Sequence, residues 1–168
     1  MKQQFIRLFL LLIACAGMQT TSAQSLQKLE RLLNKQIRQE MKEHLRTRGS
    51  SDDTLTLIRP FAIKDSTLTV TIKGVTPGSE GYWVEEQAVP LRLLRSLGKD
   101  GMLLFNTSKL VERKMIQYYD GEETETTDKV PHFWLHITGG KKDEQLFQQL
   151  LELLEEAGYT VTAYEPWM

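Results

Sequence analysis

The sequence predicts an α+β fold, in which a mostly antiparallel or mixed sheet of about six strands carries an N-terminal and a C-terminal helix. Near the N-terminus, apolar residues recur at every third or fourth position, as on the buried side of an amphipathic helix: Leu26, Leu29, Leu33, Ile37, Met41 and Leu45. Over 67–72, threonine alternates strictly with leucine, valine and isoleucine, which indicates a strand with one buried face. Over 133–164, strand, helix and strand patterns have the length of a βαβ-like unit, so a parallel pair is expected in the sheet.

The first helix is expected over residues 24–48, before Gly49 and a Ser-Ser-Asp-Asp linker. This basic amphipathic helix has seven basic and three acidic residues and a net charge of +4, while the rest of the mature chain carries −7. The asymmetry has two open interpretations, charge complementarity within the molecule or a docking surface for an anionic partner. The leucine stripe could also lie on a membrane, but it lacks Trp and Phe, which favours packing on the sheet.

Alternating or apolar runs between turn residues predict the strands. They are expected over 54–61, 67–72, 82–89, 102–106, 110–119 and 130–138, with 122–128 returning after a hairpin turn at Asp120-Gly121. Pro90 is expected to open a short helix through Leu97, and Pro131 indicates a bulge or an edge strand. The C-terminal helix is expected over 143–157, before Gly158, with 159–164 as the last strand.

Residues 1–23 have the three-part layout of a secretory signal peptide. Lys2 and Arg7 precede an apolar run from Leu8 to Met18, and small residues close the segment. The run is shorter than the roughly 18–20 residues that span a bilayer. A transmembrane helix is therefore not expected. Because Thr21 and Ala23 place small residues at the −3 and −1 positions, cleavage after Ala23 is the preferred prediction, and the protein is expected to be exported.

The single cysteine, Cys15, raises two alternatives for how the exported chain is processed. In the preferred one, cleavage leaves residues 24–168 as a single α+β domain without cysteine, periplasmic or secreted, whose stability comes from packing. In the alternative, a lipoprotein peptidase cuts the Leu-Ile-Ala-Cys string, and acylated Cys15 tethers the domain to a membrane surface. The cleaved chain has 19 basic and 22 acidic residues, a formal charge of −3, which is too close to neutral to argue for nucleic acid or bulk anionic membrane as a partner. Contact with a membrane is expected only if Cys15 is lipidated.

The main candidate for a ligand-binding surface is the set His132, Trp134 and His136. Alternation over 132–137 places the three on one face of a strand whose other face supplies core residues. A tryptophan between two hydrogen-bonding groups can stack on a sugar or anchor a peptide or protein, unless a helix covers Trp134 and makes it core. A shared metal is not expected, because four residues of strand span about 13 Å and zinc binds nitrogen at about 2 Å.

A second candidate is a turn between a strand and a helix, where backbone amides and lysines could bind an anion: Gly140, Lys141 and Lys142. The spacing of a phosphate-binding loop is missing. The acidic segment 120–128 lacks the glycine and glutamate positions of a calcium loop. The glycine-rich segment 78–81 has the wrong order for a nucleophile elbow.

No motif in the sequence compels a catalytic chemistry, and no cofactor is expected. Glu85 and Glu86 are the acids that a strand pattern could turn inward, but adjacent strand residues point to opposite faces and cannot form a catalytic pair. The sequence therefore favours an exported, cofactor-free binding or interaction protein of the cell envelope, with a protein, peptide or glycan as ligand. The alternatives are a small envelope hydrolase whose carboxylates meet only in the fold, and a lipoprotein acylated on Cys15.

Overall fold

A curled sheet and two helices make up the described part of the chain, which confirms the α+β prediction. The computed structural model describes residues 22–43, 54–75, 80–138 and 143–164. Residues 22–43 are helical and are named α1. The other elements are β1 (Thr54–Lys64), β2 (Thr67–Val75), β3 (Tyr82–Pro90), β4 (Leu94–Asp100), β5 (Met102–Tyr119), β6 (Glu122–Trp134), α2 (Asp143–Glu156) and β7 (Thr162–Ala163). The strands form one mixed sheet, curled into a half-barrel.

β5 is the centre of the sheet, because it pairs with three other strands. Its C-terminal half pairs with β3, its N-terminal half pairs with β4, and β6 lies antiparallel along both halves. The order is β1-β2-β3-β5-β4-β7, with β6 attached to β5. β7 runs parallel to β4, so β6 and β7 point in the same direction with β5 and β4 between them. The predicted βαβ-like unit is therefore β6-α2-β7.

The segment after Pro90 differs from the prediction of a helix through Leu97. The structure has a single turn of 3-10 helix, Leu91–Leu93, and β4 begins at Leu94. The prediction is wrong because Leu97 is fully buried and pairs with Phe105 of β5. Pairing with a strand later in the chain overrides the tendency of proline to open a helix.

The β5-β6 hairpin turns at Asp120 and Gly121, as predicted. Their φ angles are +54° and +83°, the left-handed values that a two-residue turn of this kind requires. Among the described strands, β6 pairs only with β5, and the register shifts opposite Pro131, between Asn106 and Val111 of β5. Pro131 thus lies on an edge strand beside a bulge, where its missing N–H costs no ladder hydrogen bond.

The apolar core lies between the helices and one face of the sheet, which is called the core face below. It contains three residues of α1, three of α2 and inward residues of the strands: Leu29, Leu33, Ile37, Leu146, Leu150, Leu154, Phe61, Leu68, Val70, Ile72, Phe105 and Phe133. The apolar face predicted for β2 is present, since its leucine, valine and isoleucine are at most 2% exposed. The opposite face is not wholly solvent-exposed as predicted, because Thr71 is only 4% exposed. Packing of the leucine stripe of α1 against the core is also confirmed from Leu26 to Met41, whereas Leu45 and residues 44–48 of the predicted helix lie outside the described residues.

The α1 helix is fastened to β1 by its polar side chains. Asn34 Nδ2 donates to Phe61 O at 2.7 Å, and Phe61 N donates to Asn34 Oδ1 at 2.9 Å. Ile63 N donates to Glu30 Oε2 at 3.1 Å. β1 has a register shift against β2 beside Phe61, so the Asn34 amide supplies the partners that the strand ladder does not.

The same helix runs antiparallel to α2. Ser25 Oγ donates to Glu156 Oε2 at the end of α2, at 2.8 Å. At the other end of α1, Thr138 Oγ1, ahead of α2, donates to Glu40 Oε2 at 2.6 Å. None of the helices in the described ranges combines the length and the apolar character needed to cross a bilayer.

Candidate functional site

Polar side chains interrupt the core face of the sheet on β3 and β5. In β3, Glu85 and Gln87 are each 4% exposed, whereas Glu86 between them lies on the outer face. The two glutamates therefore point to opposite faces, as predicted. Gln87 lies opposite Arg113 of β5, and cross-strand partners share a face. Together with His136, these inward groups form the Glu85 cluster, defined as Glu85, Gln87, Arg113 and His136.

Gln87 fixes the end of β6 in place. Trp134 N donates to Gln87 Oε1 at 2.8 Å, and Gln87 Nε2 donates to Trp134 O at 3.1 Å. This side-chain amide therefore makes the two bonds that a neighbouring strand would make. Beyond Trp134 the chain is still hydrogen-bonded to Leu103, whose O accepts from Leu135 N and whose N donates to Ile137 O.

His136 departs from the predicted strand alternation, because β6 ends at Trp134. Its φ is +53°, a left-handed value that is uncommon for a residue with a side chain. Leu135, His136 and Ile137 are all buried as a result, instead of alternating between faces. The left-handed turn brings His136 Nε2 to 3.0 Å from Glu85 Oε2 and stacks the imidazole near Trp83, with ring centroids 6.3 Å apart.

Arg113 connects the buried Glu85 carboxylate to the surface. Arg113 Nη1 lies 3.9 Å from Glu85 Oε1, and Arg113 Nη2 lies 3.3 Å from Asp128 Oδ2, whose side chain is 53% exposed. Glu85 Oε1 and Arg113 Nε are buried and have no hydrogen-bond partner among the described residues. The cluster therefore retains one strong acceptor and one strong donor, a state that is costly in a dry interior.

His132 and Trp134 lie at the accessible side of this cluster. Their rings meet edge to face with centroids 4.7 Å apart, and both side chains are partly exposed. Trp134 is outside the apolar core, whereas Trp83 packs against it. Burial lowers the pKa of His132, and the positive charge of Arg113 lowers it further. His132 is thus a neutral hydrogen-bonding group at neutral pH.

The lowered pKa of His132 predicts that acid destabilises the protein. The unfolded chain binds a proton at this residue near the ordinary pKa of 6.5, while the folded chain resists it. Stability from this residue is therefore complete above pH 6.5 and falls as the pH drops toward the lowered value. We expect the melting temperature to fall more between pH 7.5 and 5.0 in the wild type than in His132→Asn. Equal losses in the two proteins would contradict this assignment.

The residues predicted from the sequence come close to one another, although not as one flat strand face. The ring of His132 touches Trp134, the backbone of Trp134 binds Gln87, and His136 binds Glu85. Sequence reasoning missed Gln87 and Arg113 as members. The signal for Gln87 was available, because two polar residues at alternate positions of an otherwise apolar strand face require buried partners.

A groove of about 370 Å³ on the outer face of the sheet is a weaker candidate. Thr71, Arg59, Glu86 and Lys114 line it. Arg59 Nη1 lies 4.0 Å from Glu86 Oε1, and Lys114 Nζ lies 2.9 Å from Glu125 Oε2. Of the four charged residues that line the groove, Arg59, Glu86 and Lys114 therefore have ion-pair partners, and Glu112 has none among the described residues.

The catalytic and metal chemistry open to the cluster is narrow. Glu85 is the only buried carboxylate in the described ranges, so these residues hold no pair of buried acids. They also bring no three His, Cys, Asp or Glu side chains together as metal ligands. What the cluster offers is a carboxylate-imidazole pair, a guanidinium and adjoining aromatic rings, which can bind a ligand by hydrogen bonds and stacking.

Two further candidates from the sequence have no place in this geometry. The anion-binding turn (Gly140, Lys141, Lys142) and Cys15 lie outside the described residues. No protein-family model, curated protein or solved structure matches this chain, so its function is inferred from its own residues.

Proposed function

We propose that the protein is an exported, cofactor-free binding protein of the cell envelope, which recognises a protein, peptide or glycan at the surface beside the Glu85 cluster. One observation carries the proposal. The partly exposed His132-Trp134 ring pair lies beside the polar Glu85 cluster, and Gln87 of that cluster holds the Trp134 backbone by two hydrogen bonds. Aromatic rings beside fixed polar groups are typical of recognition sites.

The site is held in a fixed geometry before any ligand binds. The two hydrogen bonds from Gln87 fix the Trp134 backbone, and Trp83 and Glu85 fix the His136 ring. The protein would therefore lose little conformational entropy when a ligand stacks on Trp134. A tryptophan supplies a large apolar area together with an N–H donor, which suits both sugars and peptides.

The hydrolase alternative receives less support from the described residues. A glycosidase-type mechanism uses two carboxyl groups about 5–10 Å apart, flanking the scissile bond in a cleft. Here Glu85 is buried among cationic and amide partners, and Asp128 is half-exposed and paired with Arg113. Glu85 is thus paired with Arg113, and no second buried acid lies beside it in the described chain.

The binding proposal is tested by a ligand search followed by a matched pair of variants. Residues 24–168 would be applied to glycan and peptide arrays, and each hit would be measured by calorimetry. We expect Trp134→Ala to weaken binding of a true ligand at least tenfold, which corresponds to about 1.4 kcal/mol. Gln145→Ala, an exposed change on α2, serves as control. Equal affinity of Trp134→Ala and wild type would show that the ligand does not use this site.

Export and processing form a separate part of the proposal. Ser22 Oγ donates to Ala157 O at 3.0 Å, and Ser22 and Ala23 are both helical. Cleavage after Ala23 removes this contact, whereas lipoprotein processing before Cys15 keeps it. We expect the intact mass of the exported protein to correspond to a chain that begins at Gln24. An added acyl mass on Cys15 would contradict cleavage after Ala23 and would show that the protein is tethered to the membrane.

A further inference from the structure

The solvent side of α1 carries a straight stripe of positive charge, which the binding site beside Trp134 does not use. The stripe consists of five exposed basic residues spaced by three or four positions: Lys28, Arg31, Lys35, Arg38 and Lys42. At 100° per residue they fall within an arc of roughly 80°, and at 1.5 Å per residue they extend over about 21 Å. The centre of this arc is opposite the buried stripe of Leu29, Leu33 and Ile37.

Two of the three acidic residues in the described part of α1 are bonded to groups away from this stripe. Glu30 accepts a hydrogen bond from Ile63 N of β1, and Glu40 accepts one from Thr138. In the described chain, no ion pair joins any of the five basic residues to a carboxylate. The charge complementarity within the molecule that the sequence allowed is therefore not realised by direct contacts of the stripe among these residues.

The arrangement works against the stability of the helix itself. Within the stripe, neighbours one turn apart, such as Arg31 and Lys35 or Arg38 and Lys42, have like charge, and like-charge pairs at this spacing destabilise a helix. An ordinary solvated helix face would intersperse glutamates at these positions. A helix that places all its described cations on the outermost line is suited to an anionic partner.

We infer that this stripe is a docking surface for the anionic headgroups of a phospholipid bilayer. The inference rests on the export proposed above, since a signal peptidase acts at the membrane and brings the start of α1 to that surface. A bilayer is planar, and the five cations lie along one line on the side of α1 turned away from the rest of the molecule. The remainder of the chain is acidic and would be repelled by the same surface.

Contact with the bilayer is electrostatic and does not involve insertion. Leu29, Leu33 and Ile37 of α1 are fully buried against the sheet, so these side chains cannot enter the membrane. An interfacial helix of the usual kind would bury that face in lipid and could insert Trp or Phe. Binding through the basic face should therefore require anionic lipid and should be abolished by salt.

The test is co-sedimentation of residues 24–168 with vesicles. Vesicles of phosphatidylcholine with 30 mol% phosphatidylglycerol, roughly the anionic content that attracts basic segments, would be compared with pure phosphatidylcholine. We expect binding to the anionic vesicles alone, and its loss in about 1 M salt, where the Debye length is near 3 Å. Binding to both kinds of vesicle, or to neither, would overturn the inference.

Two triple variants with the same change in net charge locate the surface. Arg31→Gln/Lys35→Gln/Arg38→Gln removes the middle of the stripe and keeps good helix formers. Lys64→Gln/Arg92→Gln/Arg95→Gln removes exposed cations elsewhere. We expect the first to lower the vesicle partition coefficient at least about tenfold and the second to leave it within about twofold. Equal effects of the two would show that net charge, not the stripe, is responsible.

The outcome is independent of the site beside Trp134. Trp134→Ala should leave vesicle binding unchanged, and the stripe variant should keep its affinity for a ligand of the Glu85 site. Circular dichroism of each variant should show unchanged helix content. A ligand search that finds no ligand would therefore not bear on vesicle binding. Loss of vesicle binding in Trp134→Ala would contradict the lipid inference.

Discussion

Glu85→Ala is expected to lower the free energy of unfolding by about 3–5 kcal/mol, the range for breaking a buried ion pair. Glu85 lies between His136 Nε2 at 3.0 Å and Arg113 Nη1 at 3.9 Å. Its removal leaves the buried His136 imidazole without its carboxylate partner, and leaves the half-exposed Asp128 as the remaining ion-pair partner of Arg113. For a chain of this size, the loss corresponds to roughly 6–20 °C in melting temperature, measured by calorimetry or circular dichroism.

Two comparisons separate this effect from a general effect of losing an acid. Glu86→Ala removes the neighbouring carboxylate, which faces outward and lies 4.0 Å from exposed Arg59, so a change below about 1 kcal/mol is expected. The double variant Glu85→Leu/Arg113→Met replaces the pair with apolar groups and should recover part of the loss. If Glu85→Ala were no more harmful than Glu86→Ala, the cluster would have no structural role.

Trp83→Ala and Trp134→Ala are expected to differ by about 2 kcal/mol or more in stability. Trp83 packs against the apolar core, so its truncation should cost about 3 kcal/mol, near the lower end for buried aromatic residues because it is partly exposed. Trp134 lies outside that core and is held by its backbone through Gln87. Its truncation should cost less than about 1 kcal/mol, and chemical denaturation of both variants would measure the difference.

Gly74 provides an independent check on the position of the Trp83 ring. A Cβ at Gly74 would collide with the ring, because the two residues are direct cross-strand partners. Gly74→Ala should therefore destabilise the wild type and have a smaller effect in the Trp83→Ala background.

Trp134 would have to be reassigned as a core residue if its truncation proved as costly as that of Trp83.

The elements that the sequence predicted correctly are those whose signals are local. The leucine spacing of α1, the threonine alternation of β2 and the Asp120-Gly121 turn each depend on residues a few positions apart. The prediction of a helix through Leu97 was wrong because the conformation of that segment depends on pairing with Phe105, which lies across a hairpin. Local propensity is a weak guide wherever the partner strand decides the structure.

The candidate site could be predicted only in part for the same reason. The sequence could indicate His132, Trp134 and His136 as candidates because these residues are close in sequence and of unusual type. The bonds between Gln87 and Trp134 join residues 47 positions apart, and they depend on the register of three strands. The left-handed φ of His136 has no sequence signal, since glycine or asparagine is the usual residue at such a position.

The antiparallel contact of α1 with α2 has a consequence for the order of folding. Ser25 and Glu156 are 131 positions apart, so the first helix meets its last partner only when the C-terminal part of the chain is present. Until then, Leu29, Leu33 and Ile37 lack the leucines of α2 that complete their core. A chain synthesised from its N-terminus therefore cannot complete this core until its final segment has been made.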